Sequence, residues 1–272
     1  MTESNNPLVE AQERYQSAVP FRTLPVLTQR LEEVLGNTLA EDIQAPIDAP
    51  PYHRAIAEGF VVNTEETRTA SEDNPVTFKI GGEILPGDEQ CPEIPPGQGF
   101  AVVTGSILKS GDYSVVRMWD CEREGAHFTV TRPFPPRFFI EDQGCDIARG
   151  DIVLKAGTVL GPTEIGTLAS LGIQQVPVMQ APRITLFSSG NEVIPYTEPM
   201  RPGAIWDCNA PMLSAAIRQE GGIPVFGGIM KDDFEQFVEA LKQALAQSDM
   251  VVISGGTAVG GRDFVADMVR EV

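Results

Sequence analysis

Ser254-Gly255-Gly256-Thr257-Ala258-Val259-Gly260-Gly261-Arg262-Asp263-Phe264 follows directly on the apolar run Met250-Val251-Val252-Ile253. A short continuous apolar run of this kind is the pattern of a strand buried on both faces of a parallel sheet. Downstream, Phe264, Val265, Met268 and Val269 recur at helical spacing. Strand, glycine-rich turn and helix start together aim free backbone N–H groups and the positive end of a helix dipole at whatever sits above the turn, and a phosphate is the usual guest. The glycines matter because a Cβ would hold a ligand away from the backbone. Read from Gly256, the spacing approaches the P-loop pattern Gly-x4-Gly. Arg262-Asp263 stands where that motif carries Lys and Ser or Thr, so the phosphate lysine and the magnesium hydroxyl are both missing. The dinucleotide spacing Gly-x-Gly-x-x-Gly is absent too. Taken alone, the loop is equally compatible with a plain strand-to-helix turn.

The residues upstream decide between these readings. Ile184-Thr185-Leu186-Phe187 reads as a strand, followed by a turn and a helix from about Pro211, with Asn209 as its cap and Leu213, Ala216 and Ile217 inward. Gly221-Gly222 stops that helix, and Ile223-Pro224-Val225-Phe226 is the next strand. Asp232 or Asp233 then caps a helix with Phe234, Phe237, Val238, Leu241 and Leu245 on one side. The Val251 strand completes a βαβαβ unit, which implies a parallel sheet with helices on both faces. Such sheets bind ligands at the carboxyl ends of their strands. Two loops meet that description: the opening stretch and Ser188-Ser189-Gly190-Asn191-Glu192. Asp207, Asn209 and Asp232 start helices at the same edge. Glycines, carboxylates and hydroxyls converging there suit a ligand that has both a phosphate and polar ring groups. For Asn209 and Asp232 taken singly, helix capping is the simpler explanation.

The chain has 272 residues, 42% of them hydrophobic, enough for two or three ordinary domains. With 38 acidic against 20 basic residues, the formal charge is −18. A field of that sign repels nucleic acid and anionic membranes, so no nucleic-acid or membrane partner is expected. Cys91, Cys121, Cys145 and Cys208 lie far apart with no Cys-x-x-Cys pair, which argues against a zinc knuckle or a disulfide framework. His53 and His127 are too few for a histidine-rich metal site. The first residues carry no basic and apolar signal-peptide regions, and no apolar run is long enough to span a bilayer. A cytoplasmic location is the expectation.

From the N-terminus, a polar start gives way to Thr23–Leu35, where Leu27, Leu31, Val34 and Leu35 predict an amphipathic helix capped by Thr23 and ending at Gly36. Leu39 to Pro46 reads as extended, and Asp48-Ala49-Pro50-Pro51 as a stiff break. Between Tyr52 and Pro136, short β-rich runs at Phe60–Val62, Val76–Ile80, Phe100–Val103, Ser114–Met118 and His127–Val130 alternate with Gly/Pro turns, predicting a small barrel or sandwich. Ile152-Val153-Leu154 and a helix capped at Thr163, with Ile165, Leu168 and Leu171 on its apolar face, follow before Val178.

These landmarks together resemble the molybdopterin molybdenumtransferases, bacterial cofactor-assembly enzymes related to the E domain of gephyrin. In the C-terminal half the resemblance rests on Ser188-Ser189-Gly190-Asn191-Glu192, Asp207-Cys208-Asn209, Asp232-Asp233 and Ser254 through Gly260 with Asp263. Upstream it rests, in order, on Ala40–Ile43 with Pro50-Pro51, Ala57-Glu58-Gly59-Phe60, Val103-Thr104-Gly105-Ser106, Gly144-Cys145-Asp146-Ile147 with Gly150, Lys155–Thr158 and Ala169–Ile173. It covers essentially everything from Phe21 onward.

The resemblance implies a multidomain fold of α/β plus β character. A discontinuous N-terminal domain (1–51 and 137–179) would hold an inserted β-barrel-like domain (52–136), followed by a parallel-sheet α/β molybdopterin-binding domain (180–272). The family pattern continues past Val272 with lysine-bearing and Gly-Asn-Pro segments and a last β-domain, so the α/β domain is expected to be incomplete here. The implied reaction takes adenylylated molybdopterin and molybdate, cleaves the phosphoanhydride with Mg2+, releases AMP and leaves molybdenum on the dithiolene. The implied catalytic groups are Glu58, Asp146, Asp232 and Asp263. Asp232, Asp263 and Glu192 are the implied magnesium ligands, since hard cations take carboxylates. Thr104, Gly105, Ser189, Gly190, Asp207, Asn209, Gly255, Gly256 and Thr257 are the implied substrate-binding positions. Glu58 stands where the family carries an aspartate, Asn191 where it carries an acid, and His53-Arg54-Ala55 where Asn-Ser-Ala is usual. The implied assembly is a homodimer whose cleft lies between the molybdopterin domain of one subunit and the inserted domain of the other. Its implied partners are the upstream molybdopterin adenylyltransferase and the downstream molybdoenzymes. A non-catalytic molybdopterin- or nucleotide-binding paralogue and a dimerisation scaffold are the competing readings.

Overall fold

The computed structural model describes residues 7–19, 22–231, 233–255, 267 and 270–272, and its largest sheet is built around the run Gly59-Phe60-Val61-Val62-Asn63. In chain order the elements begin with α1 (Pro7–Ala18), β1 (Val26–Arg30), β2 (Ile43–Gln44), β3 (Arg54–Ala55), β4 (Gly59–Asn63), β5 (Val76–Ile84) and β6 (Gln98–Val102). They continue with β7 (Tyr113–Arg117), β8 (Glu122–Glu124), β9 (His127–Val130), β10 (Ile140–Glu141), β11 (Ile152–Leu154) and α2 (Pro162–Ser170). The last are β12 (Gln175–Met179), β13 (Arg183–Ser189), β14 (Val193–Ile194), β15 (Ile205–Trp206), α3 (Asn209–Gln219), β16 (Ile223–Met230), α4 (Phe234–Gln247) and β17 (Met250–Ser254). Two units form, one from Met1–Ala40, Val159–Gly161 and Gln175–Val272, the other from Glu41–Thr158 and Pro162–Gln174.

In the second unit six strands make one mixed sheet in the order β7-β4-β6-β5-β9-β8. Side chains alternate across a strand, so Phe60 and Val62 join one apolar layer while Val61 joins the other. Both layers are closed, which is why β4 is apolar throughout rather than alternating. Phe128 stacks on Phe60 at 4.1 Å and on Phe78 at 5.3 Å. Burial of an aromatic ring of this kind contributes about 1.5–3 kcal/mol. Gly59 is fixed by crowding, because a Cβ there would sit 1.9 Å from the Val116 carbonyl oxygen. β8, Glu122-Arg123-Glu124, is fully exposed at the sheet edge and has no apolar signal by which it could be read.

In the first unit, β13 is the central strand of a parallel sheet in the order β16-β13-β17. The βαβαβ expectation therefore holds. The chain runs from β13 through α3 to one neighbour, then back across through α4 to the other. Phe187, Met230, Phe237 and Ala244 form the core beneath α4, with Phe187 edge-on to Phe237 at 5.8 Å.

The helix predicted over Thr23–Leu35 is not formed. Val26–Arg30 is strand β1, antiparallel to β12, and only Leu31–Glu33 makes a 3-10 turn. Of the predicted apolar stripe, Val34 alone is fully buried, whereas Leu27 is 39% and Leu35 63% exposed. The backbone ladder with Gln175–Met179 outweighs a weak helical spacing. A helix forms instead at Pro7–Ala18, where no residue is buried and the sequence reads simply as polar.

Candidate functional site

β13 and β17 lie side by side in the parallel sheet, and open α/β sheets bind ligands in the crevice at the carboxyl ends of such strands. Ser188 and Ser254 are register partners at that edge. Gly255 follows with φ +104°, and a Cβ on it would meet the Ser189 carbonyl oxygen at 2.7 Å. Only glycine lets these two loops approach so closely. Gly190 has φ +143°, and a Cβ there would lie 2.9 Å from the Glu192 carboxylate and from Val193. Its N–H donates to the Met230 carbonyl at 3.1 Å, and the missing side chain makes room for Glu192 and Val193 to fold back over it.

The loop after β13 returns through β14, which pairs in parallel with β15. Ile205 N–H donates to the Glu192 carbonyl at 2.9 Å, and Asp207 N–H to the Ile194 carbonyl at 2.8 Å. Trp206 Nε1 donates to the Glu198 carbonyl. This ribbon delivers Asp207, which is 6% exposed, to the start of α3. Its Oδ1 accepts from the N–H groups of Asn209 (3.1 Å) and Ala210 (3.0 Å). Those are the N2 and N3 bonds of an N-cap, so Asp207 caps α3. The expected cap, Asn209, sits inside the first turn instead. Its side-chain amide donates to Ser254 Oγ at 2.7 Å and so ties α3 to the end of β17. Asp233 caps α4 by accepting from Gln236 N–H at 3.1 Å.

Ser188, Ser189, Gly190, Glu192, Asp207, Asn209, Ser254 and Gly255 thus converge on one edge of one sheet. Asp232, Gly256, Thr257 and Asp263 lie outside the described residues. Two further groups matter: Ser188, read from the sequence only as part of its loop, and Lys231, missed there. The Oγ of Ser188 is buried without a hydrogen-bond partner. Native proteins rarely leave such an atom unpaired, and it belongs to the residue that pairs with Ser254 at the carboxyl end of β13. Lys231, at the end of β16, turns its ammonium onto the loop after β13. A lone lysine beside Asp232-Asp233 in so acidic a chain was the available signal.

Glu58, Thr104, Gly105 and Asp146 belong to the other unit, where three segments are stitched around β3. Ala55 N–H donates to the Ser106 carbonyl (3.0 Å), Gly105 N–H to the Ala55 carbonyl (2.8 Å) and Ile56 N–H to the Phe139 carbonyl (3.0 Å). Buried Ser106 donates to the Ile84 carbonyl at 2.6 Å, holding the exposed Thr104 and half-buried Gly105 (φ +94°) in a fixed turn. Glu58 is exposed, and its carbonyl accepts from Met118 N–H at 3.2 Å. Asp146 is exposed next to Cys145 and Glu141, and one donor atom of each lies within 4.8 Å of the others. Arg54 Nε bonds Glu141 at 2.5 Å, so that carboxylate is already neutralised. Desolvation first, then the fields of Asp146 and Glu141, raises the Cys145 thiol above its ordinary range. Asp48 positions this loop by accepting from Arg149 N–H and the Gln143 amide, which hold its carboxyl below the usual range. His53 Nδ1 accepts from Gln143 N–H at 3.1 Å and faces Arg137 at 2.8 Å. Asp142 Oδ1 lies 3.2 Å from the same nitrogen.

A groove of about 820 Å3 lies in the first unit at the amino ends of β13 and β16, lined among others by Gln29, Glu33, Asn37, Arg218 and Glu220. It is at the opposite edge of the sheet from the glycine loops. Parallel sheets bind at their carboxyl ends, and we place the site there.

Comparison with known proteins gives the family. Residues 6–172 match the model of the MoeA N-terminal region (domain I and II), and residues 185–272 match that described as "Probable molybdopterin binding domain". A molybdopterin molybdenumtransferase of Nostoc sp. is 32% identical over 238 residues, covering 87% of this chain and 54% of that protein. One from Staphylococcus epidermidis is 30% identical over 242 residues, covering 89% and 58%. The chain thus spans between half and two thirds of the length of these relatives. The crystal structure of a molybdopterin biosynthesis MoeA protein from Pyrococcus horikoshii superposes with a TM-score of 0.86 at 34% identity, over 98% of this chain and 66% of that one. With both family models matched in order along one chain, and a fold shared over nearly its whole length, the chain belongs to the MoeA family of molybdopterin molybdenumtransferases.

Proposed function

We propose that the chain acts in molybdenum cofactor assembly by inserting molybdenum from molybdate into adenylylated molybdopterin, with Mg2+-dependent release of AMP. The observation that carries this reading is the crevice between the loops after β13 and β17. There Gly255 brings its loop against Ser189, and Ser188 keeps a buried hydroxyl without a protein partner. In a chain of net charge −18, a phosphate is best held by such backbone and hydroxyl groups rather than by a basic patch.

In this proposal Ser189, Gly190, Asp207, Asn209, Gly255, Gly256 and Thr257 bind the pterin and its phosphate, and Thr104 and Gly105 of the inserted domain serve the site of the other subunit of the homodimer. Asp232, Asp263 and Glu192 would hold Mg2+. Glu192 fits that task, being a carboxylate folded against Gly190 in the loop after β13. When bound, the ion would neutralise charge on the phosphoanhydride and polarise its phosphorus–oxygen bonds. Glu58 and Asp146, with Asp232 and Asp263, are the proposed groups for orienting the attacking oxygen and handling its proton. We further propose a functional division into 1–51 with 137–179, 52–136 and 180–272. A cytoplasmic homodimer served by a molybdopterin adenylyltransferase and supplying molybdoenzymes belongs to the same proposal. Among the described residues no helix is long and apolar enough to cross a membrane.

A second reading, binding without turnover, draws on Asn191 and on the longer side chain of Glu58. Incubation with adenylylated molybdopterin, Mg2+ and molybdate separates the two. AMP release that disappears in Asp263→Asn supports the transferase. Tight binding with no release supports the second reading and sinks the first.

A further inference from the structure

We infer that Lys231 is a positioning residue whose ammonium clamps the loop after β13 and so sets the ligand-facing backbone of the crevice; this rests on the functional reading above. Its Nζ donates to the carbonyl oxygens of Val193 at 2.8 Å, Gly190 at 3.2 Å and Asn191 at 3.3 Å. An ammonium has three N–H groups, and three carbonyls of one turn meet them. Among the described residues no carboxylate lies within ion-pair distance of Lys231, in a chain where acids outnumber bases by 38 to 20. A lysine free to choose a surface partner in that field would face a carboxylate. This one is directed by geometry at the inside of a turn.

The placement explains what the clamp does. Lys231 follows Met230, the last residue of β16, whose carbonyl accepts the Gly190 N–H at 3.1 Å. The loop is therefore fastened to the end of β16 twice, once by backbone and once by the charged side chain. Gly190 at φ +143° has little conformational restraint of its own. Without the ammonium, three carbonyl dipoles converge with nothing between them, and their repulsion favours opening the turn. Opening would move Ser189, Gly190 and Glu192 together, because the Glu192 carbonyl is the anchor of Ile205 and the β14–β15 ribbon. A positive charge spent on carbonyls is a structural choice. It is not poised as a phosphate ligand, since all of its donors are in use.

Hydrogen exchange and titration with molybdopterin test the inference on the intact chain. In Lys231→Met, without ligand, the Val193 and Ile205 amides are expected to lose about tenfold or more in protection, while those of Leu186 and Val252 keep theirs. The same variant should weaken molybdopterin binding about tenfold. Lys231→Arg keeps the charge but cannot converge its planar fork on three carbonyls, so it should fall between the two in both readouts. Unchanged protection at Val193 and Ile205 in Lys231→Met overturns the clamp. A loosened loop with undiminished affinity overturns its role in the site. If the unaltered chain binds no molybdopterin, the functional reading fails, and the exchange measurement still decides the clamp.

Discussion

Replacing Asp207 by alanine isolates the contribution of one oxygen atom to the architecture of the crevice. Asp207 Oδ1 accepts two N–H groups from the first turn of α3, at 3.1 and 3.0 Å, while the side chain is 6% exposed. Loss of an N-cap costs about 0.5–2 kcal/mol. Here two donors lose their acceptor in a site that water enters poorly, which puts the expectation at the upper end, about 2 kcal/mol. At about 2–4 °C per kcal/mol for a chain of this size, the melting temperature of the first unit should fall by about 4–8 °C. Asp207→Asn retains an acceptor oxygen and loses only the charge–dipole part, about 0.3–1 kcal/mol. Urea titrations of the three proteins, followed by far-UV circular dichroism, give the comparison. If Asp207→Ala unfolds within about 0.5 kcal/mol of the parent, a difference expected of a neutral surface site, the capping argument is wrong. Equal losses in both variants would assign the effect to the charge and not to the oxygen.

Other outcomes follow from single contacts. Ser188→Ala removes a hydroxyl that has no protein partner, so the unliganded protein should be unchanged or stabilised by up to about 1 kcal/mol, while molybdopterin affinity drops; a clear loss of stability in urea would show that Ser188 is satisfied within the fold. Gly59→Ala places a methyl 1.9 Å from the Val116 carbonyl, and the second unit should lose more than about 4 kcal/mol, read as loss of its cooperative melting. Asp120 is held below the ordinary carboxylate range by its bond to Arg117 and then by Arg132. A depressed folded pKa contributes stability above the unfolded value of about 3.9 and loses it as pH falls through the folded one. The advantage of the parent over Asp120→Asn should therefore be constant above about pH 5 and shrink below about pH 4; melts across pH 3–7 would expose a pH-independent gap if this is wrong.

The α/β half was legible because β13, β16 and β17 announce themselves as apolar runs separated by capped helices, although β16 and β17 are only partly buried among the described residues. Thr23–Leu35 misled because Leu27, Leu31, Val34 and Leu35 fit a helix locally, whereas pairing with Val176 and Val178 is a long-range fact that no local spacing contains. β5 runs on through Gly81-Gly82 to Ile84, a stretch that composition marks as a break. The Phe100 ring lies where Cβ atoms would be, at 2.8 and 3.0 Å, so those glycines serve packing and not a turn. In the site, the glycine loops and Asp207 were visible. The cap expected at Asn209 is Asp207, since both residue types cap and the choice depends on where the β14–β15 ribbon delivers the chain. The Lys231 contacts are wholly tertiary.

The central claim is that the crevice between the carboxyl ends of β13 and β17 holds molybdopterin. Calorimetric titration with molybdopterin of the parent chain, of Gly255→Val and of Gly157→Ala tests it most directly. Both glycines have positive φ, at +104° and +86°, but only a Cβ at Gly255 meets another atom, the Ser189 carbonyl oxygen. Saturable binding at one site per chain, kept in Gly157→Ala and lost in Gly255→Val, is the predicted result. Equal affinity in all three, or no saturable binding by the parent, would contradict it.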